Sequence, residues 1–289
     1  MDRLKKIDLH MHSTVSDGTD SPAELLEKVR EAGIEVFSLS DHDAIKGCLE
    51  IMDLLQEGDP AFIPGAEFSC RDELGKYHIL GYGYDAKTGA MPEFIGFSHN
   101  IRMRKLNARL DYLKSELGIM FPDDAISELF AQDNPGKPHI ANMMVKYGYA
   151  QSKEQAFDDV LNRMPVLVSF IRPEQAIEAI LAGGGIPILA HPSYGDGDQL
   201  FIGEEMEQRI CRLMAFGLKG LEAFYSGFTP PLVNEILSYA DRYDLYVTAG
   251  SDYHGANKMI VLGDTGIEEY ETRTSRLERF LKDVMHEGR

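Results

Sequence analysis

Short apolar runs alternate along the chain with segments whose apolar residues recur at helical spacing. From the N-terminus the order is "KIDLH", "SPAELLEKVREAG", "VFSLS", a helix through "AIKGCLEIMDLLQ", then "AFIPGAEFS" and "YHILGYGYD". The first helix has a complete start and stop, with Ser21 as N-cap, Pro22 in the first turn, Glu24 closing a capping box and Gly33 past the end. The alternation resumes after residue 170 with helix "RPEQAIEAILAGG", strand "IPILAH", helix "EEMEQRICRLMAFG", strand "GLEAFY", helix "PLVNEILSYADRY" and strand "LYVTAGS". Repeated strand–helix units predict an α/β fold with a parallel sheet, open or closed into a barrel. Residues 92–165 break the rhythm: "NIRMRKLNARLDYLKSELG" and its successors read as helices with no strand between them. A helical insertion at 92–165 in a barrel made of 1–91 and 166–289 follows as the expected organisation.

Side chains with metal-ligand chemistry fall at the ends of these predicted strands. His10 and His12, two apart at the end of "KIDLH", share a face of a strand, and Asp252 and His254 repeat that spacing in "GSDYHG". Between them lie Asp17, His42 in "SLSDHD", Glu67 in "PGAEFS", His78 in "KYHILGY" and His191 in "ILAHPS". His78 alone falls nearer a strand's beginning. In a β/α barrel the C-terminal strand ends face one mouth, so scattered residues become one cluster. A single histidine at a strand end is ordinarily just hydrogen-bonded. Here six of the nine histidines converge, while His99, His139 and His286 fall elsewhere. An oxygen and nitrogen ligand set without sulfur suits Zn, Mn or Fe, and nine ligands exceed the needs of one ion, so two or three divalent ions are expected. Such sites suit phosphoester hydrolysis, because a bridging water loses a proton near neutral pH and no protein nucleophile is needed.

Charge sharpens this picture. Asp plus Glu number 47 against 29 Lys plus Arg, a net charge of -18, which argues against a basic surface for duplex DNA. An anionic substrate must then be attracted locally, and three divalent ions against Asp17, Glu67 and Asp252 would leave the site about three units positive. Cys48, Cys70 and Cys211 are odd in number and widely spaced, as expected of reduced and mostly buried thiols. With no apolar leader and no run of about 18 apolar residues, a soluble, cytoplasmic protein without membrane partners is the expectation.

The motifs "DLHMHSTVSDGT", "SLSDHD", "ILAHP" and "GSDYH" resemble the four motifs of the PHP family, the polymerase and histidinol phosphatase metal hydrolases. The resemblance implies a distorted seven-stranded β/α (TIM-like) barrel holding three metals, commonly Mn, Fe or Zn. Carried over position by position, it implies His10, His12, Glu67 and Asp252 on one ion, Glu67 with His78 and His191 on a second, and Asp17, His42 and His254 on a third. "NPGKPHIANMMVKYGYAQSKEQAF" and "AIEAILAGGGIPILAHP" resemble the subfamily of nucleotide 3′,5′-bisphosphate phosphatases and a 5′–3′ exoribonuclease. The implied substrate is a small nucleotide or the 5′ end of a short RNA. Lys137 departs from the Arg that usually precedes Pro-His there, a point charge in place of a bidentate fork.

Arg102, Arg104, Lys137 and His139 in the insertion are candidates for gripping a second phosphate, although the two arginines, with Lys105 and Arg109 beside them, equally fit a solvated helix face. Asp41 is expected to orient a ligand histidine and Asp43 to cap the following helix. The triplet Gly183–Gly185 precedes a strand and reads as an αβ turn, not a phosphate loop. Tyr225 and Phe170 offer stacking faces, with core packing the commoner fate of such rings. Three other activities share parts of this pattern. A histidinol-phosphate phosphatase fits less well because of "KPHIA", a non-catalytic metal module would have lost ligands, and an amidohydrolase-like C–N hydrolase would not need phosphate-binding cations.

Overall fold

The structure, a computed structural model, describes residues 6–165, 168–195 and 199–287. β1 (Ile7–Asp8), α1 (Pro22–Glu31), β2 (Val36–Phe37), α2 (Lys46–Leu54) and β3 (Ala61–Phe62) follow one another as strand–helix units, and the three strands pair in parallel. α1 starts as its sequence dictates: Ser21 accepts the Glu24 N–H while Glu24 reaches back to the Ser21 N–H. Gly33 beyond it takes a left-handed φ of 66°, which costs a glycine nothing.

Pro64 cannot donate to a ladder, so "AFIPGAEFS" splits there and β4 (Gly65–Asp72) begins afresh. β4 turns directly into β5 (Gly75–Tyr82) as an antiparallel hairpin with Gly65 opposite Tyr82. Helices α3 (Ala90–Leu117), α4 (Asp123–Phe130), α5 (Lys137–Lys146) and α6 (Lys153–Ala156), the last running on as a π-turn over Phe157–Leu161, follow with no strand among the described residues. They enclose an apolar cluster of their own around Leu106, Leu113, Leu129, Ile140 and Met144. The alternating units then return as α7 (Pro173–Ala182), β6 (Ile186–Leu189), α8 (Gly203–Ala215), β7 (Gly220–Tyr225), α9 (Pro230–Arg242), β8 (Tyr246–Gly250) and α10 (Ser275–Glu287). The glycine triplet is the expected turn between α7 and β6, with Gly184 at φ 77°. Among the described residues no helix is long and apolar enough to cross a membrane.

The fold is mixed α/β, but the expected seven-stranded barrel needs correcting. Eight strands form two sheets, β1-β2-β3 and β4-β5-β6-β7-β8, and no closed ring of ladders joins them among the described residues. The sheets meet at isolated parallel bridges, Met11 with Tyr253 and His42 with Glu67. The β1 and β8 segments are joined by single backbone bonds, Leu9 N–H to the Ala249 carbonyl (2.9 Å) and Asp252 N–H to the His10 carbonyl (2.7 Å), and the buried Asp8 carboxylate ties the same edge by accepting from Ser251 N (2.9 Å), Ser251 Oγ (2.6 Å), Gly263 N (2.8 Å) and His10 N (3.2 Å). β5 departs as well, running antiparallel to both β4 and β6 while β6, β7 and β8 are parallel.

Candidate metal centre

His10 and His12 follow β1, His42 follows β2, His191 follows β6, and Asp252 and His254 follow β8, as expected of residues at a strand-end mouth. Glu67 and His78 do not sit at strand ends. Glu67 is near the start of β4 and His78 lies within β5, opposite Ser69. Because β5 runs against its neighbours, its earlier residues lie at the end where the others finish. The Ala190 N–H donates to the His78 carbonyl (3.0 Å), which sets His78 beside His191. His191 (φ 27°) and Asp252 (φ 60°) both occupy positive-φ backbone that is unusual outside glycine and tends to cluster at functional sites.

Glu67 is the hub. Its Oε1 lies 2.8 Å from His78 Nδ1, 3.3 Å from His191 Nε2 and 3.4 Å from His10 Nε2, and its Oε2 lies 3.0 Å from His42 Nδ1 and 3.4 Å from His12 Nε2. Asp252 Oδ1 is 3.5 Å from His10 Nε2 and 3.3 Å from His12 Nε2. Asp17 completes the other side, 3.3 Å from His254 Nε2 and 3.9 Å from His42 Nε2. The structure thus brings all nine sequence candidates together. Three sets have ligating atoms within 4.8 Å of one another: His12 with Asp17, His42 and His254; His10 with His12 and Glu67; and His42 with Glu67 and His78.

The donor set fits divalent cations. His10 Nε2, His12 Nε2, His42 Nδ1 and His191 Nδ1 are buried nitrogens without a hydrogen-bond partner, a situation folded proteins avoid. Two rings are turned by their other nitrogen: His10 Nδ1–H donates to Glu222 Oε1 (2.8 Å) and His254 Nδ1–H to the Asp252 carbonyl (2.8 Å), leaving each Nε2 lone pair for a ligand. Burial, with His254 and His42 beside it, pushes His12 down to about 3. Burial alone would raise Asp17, Glu67 and Asp252, yet neighbouring imidazoles, and Lys258 at Asp252, hold all three well below the usual carboxylate range. A neutral imidazole and ionised carboxylates are the forms a cation binds. His10 differs, since burial is outweighed by Glu222, Glu67 and Asp252, which hold its proton tightly.

Several supporting residues were not read from the sequence. Glu222, fully buried on β7, takes His10 with one oxygen and the His191 N–H (2.8 Å) with the other. Asp252 Oδ2 is held by Tyr225 OH (2.9 Å) and Lys258 Nζ (2.5 Å), which turns Oδ1 to the cluster. Asp41 makes no hydrogen bond to an imidazole. It accepts from Ser13 N and Ser13 Oγ (2.8 Å each) and Ser16 Oγ (2.7 Å), so its reach to His12 passes through Ser16, 3.4 Å from His12 Nδ1. Asp43 is not the helix cap: α2 is capped at Ile45 without a side-chain bond, and Asp43 instead accepts from Ser69 N and pairs with Arg102.

A cavity of about 470 Å³ opens over the cluster, walled by His42, His78 and His191 on one side and Tyr194, Tyr225 and Lys258 on another. A second space of about 280 Å³ runs from Asp17, His42 and His78 to Arg102, Lys105 and Lys137. Arg102 and Lys137 therefore reach the arm, although Arg102 is paired with Asp43 and Lys137 donates to Asn162 Oδ1 (3.0 Å). Arg104, about 200° round the helix from Arg102, is exposed on the opposite face of α3. His139 caps α5, its Nδ1 accepting the Gly136 N–H (3.1 Å), and borders neither space.

A buried cluster of imidazoles about three ionised carboxylates, opening onto an arm lined with cations, marks a metal-dependent phosphoester hydrolase. The chain belongs to the PHP domain family, which matches residues 8–156. It is 31% identical over 90% of its length to a 5′-3′ exoribonuclease of Haemophilus influenzae, covering 93% of that protein. A phosphoribosyl 1,2-cyclic phosphate 1,2-diphosphodiesterase of Eggerthella lenta is 28% identical over 86% of this chain and 94% of its own length. A 3′,5′-nucleoside bisphosphate phosphatase of Chromobacterium violaceum is 28% identical over 87% of this chain and 88% of its own. Among solved structures, a protein of Bifidobacterium adolescentis assigned as a metal-dependent phosphoesterase superposes with a TM-score of 0.78 at 27% identity, covering 94% of this chain and 97% of that one.

Proposed function

We propose that the chain hydrolyses a phosphate ester of a ribonucleotide that carries a second phosphate, either a nucleoside 3′,5′-bisphosphate or the 5′ end of a short RNA. The observation that carries this reading is the cation-lined arm leading directly off the ligand cluster, long enough for one ligand to touch both. The relatives point the same way, since the substrates in their names are phosphoesters of ribose. Two or three divalent ions, Mn, Fe or Zn, are the proposed cofactor. His10, His12, Glu67 and Asp252 would hold one, Glu67 with His78 and His191 a second, and Asp17 with His42 and His254 a third. Bound there, such ions supply an acidified water and neutralise charge on the phosphoryl group.

The chain's own groups do the rest. Glu67 ties the histidines to one point, Glu222 fixes the tautomer of His10, and Tyr225 with Lys258 fixes Asp252. Of the four residues expected to grip the second phosphate, Arg102 and Lys137 border the arm, His139 lies near enough to Asp17 and Arg102 to feel their charge, and Arg104 faces away from the arm. We take residues 92–165 as an insertion that supplies this arm, and a cytoplasmic location as the one suited to nucleotide substrates. Phosphate release by the Mn-reconstituted protein from adenosine 3′,5′-bisphosphate, a 5′-phosphorylated dinucleotide, AMP and histidinol phosphate tests the reading. Turnover should favour one of the first two. No release from any of them, with metal confirmed bound, would sink it and favour C–N bond hydrolysis.

A further inference from the structure

The arm holds more positive charge than its ion pairs account for. Lys105 and Arg109, one turn apart on α3, border it and also a space of about 230 Å³ that shares the same wall, with Arg71, Lys137 and Phe170. Lys105 is only 9% exposed, and its Nζ stands 4.0 Å from the centre of the Phe170 ring, a cation–π contact. The carboxylate that acts most on it, Asp43, is already engaged by Arg102 and the Ser69 N–H. Burial, opposed by Asp43 but reinforced by Arg102 and Arg109, pushes Lys105 down to about 8. Burial and Arg102 push Arg109 down as well, with no carboxylate opposing them.

Buried charge without a counter-charge destabilises a fold, and a chain with 47 acidic residues has abundant material with which to pair it. The buried Lys105 and the half-buried Arg109, side by side on a space that begins at His42 and His78, are arranged for an anion that arrives with the ligand. We propose that Lys105 and Arg109, beside the face of Phe170, seat the phosphate that is not cleaved, so that the enzyme selects ribonucleotides with two phosphates by charge. This rests on the proposed function and adds the residues that decide its substrate preference. The sequence singled out neither residue; their place on the arm and the burial of Lys105 separate them from a solvated helix face.

The test compares Lys105→Met and Arg109→Gln with the unaltered protein, all Mn-loaded, on adenosine 3′,5′-bisphosphate and on the 3′- and 5′-monophosphates. The unaltered protein should prefer the bisphosphate in kcat/KM, and each variant should lose about tenfold to a hundredfold of that preference, mainly through KM. Lys105→Met should melt at or above the wild-type temperature, because an unpaired buried charge has been removed, and Arg109→Gln, at a half-exposed position, should melt near it. A preference retained in folded variants would overturn the proposal, and a lowered melting temperature with preference intact would assign the pair to packing. If the unaltered protein cleaves none of the three, the proposed function fails and calorimetry of bisphosphate binding decides this inference separately. Weaker binding by the variants would support it, and equal binding would overturn it.

Discussion

Replacing Glu67 by Gln should reduce phosphate release by on the order of a thousandfold or more and lower the number of divalent ions retained. Glu67 is 1% exposed and touches five imidazoles, more than any other residue of the cluster. The amide keeps the shape and removes the charge, so the loss is electrostatic. It also offers an NH2 group to nitrogens that need their lone pairs for metal. Elemental analysis after dialysis, alongside kcat, checks both parts. Retention of full metal content and of most activity would show that the cluster is not organised about this carboxylate.

The second large effect is expected at Glu222, which touches no proposed metal ligand side chain other than His10. Its carboxylate holds a proton on His10 Nδ1 and so turns Nε2 toward the cluster as the nitrogen a metal would take. In Glu222→Gln the remaining oxygen is claimed by the His191 N–H, which leaves an amide donor against His10 Nδ1 and forces the other tautomer. Metal affinity measured by chelator competition should fall by about tenfold to a hundredfold, the usual scale for a residue that orients a ligand. Unchanged affinity in a folded variant would assign Glu222 to strand packing alone.

The candidate ligands were legible because metal chemistry constrains residue type and because strands repeat every two residues, which makes His10-x-His12 and Asp252-x-His254 visible as shared faces. Topology was less legible. An apolar run such as "KYHILGYGYD" looks the same whichever way its strand points, so β5 was read as one more parallel unit and His78 seemed misplaced on it. Three of the strands are only two residues long, too short for an alternation to show, and a strand count from periodicity then fails. Glu222 did leave a signal: it stands inside the apolar run "GLEAFY", where a buried carboxylate demands a partner. Lys105 left none, because α3 buries this charge on the side where an ordinary amphipathic helix buries apolar residues.

If divalent ions held by the nine-residue cluster perform the cleavage, activity must follow metal content. Stripping the protein with a chelator, verifying the loss by elemental analysis and titrating Mn back while following phosphate release from adenosine 3′,5′-bisphosphate measures this. No release is expected from the stripped protein, followed by a rise that saturates at two or three equivalents of metal per chain with a parallel gain in melting temperature. Release that persists in verified metal-free protein would contradict it.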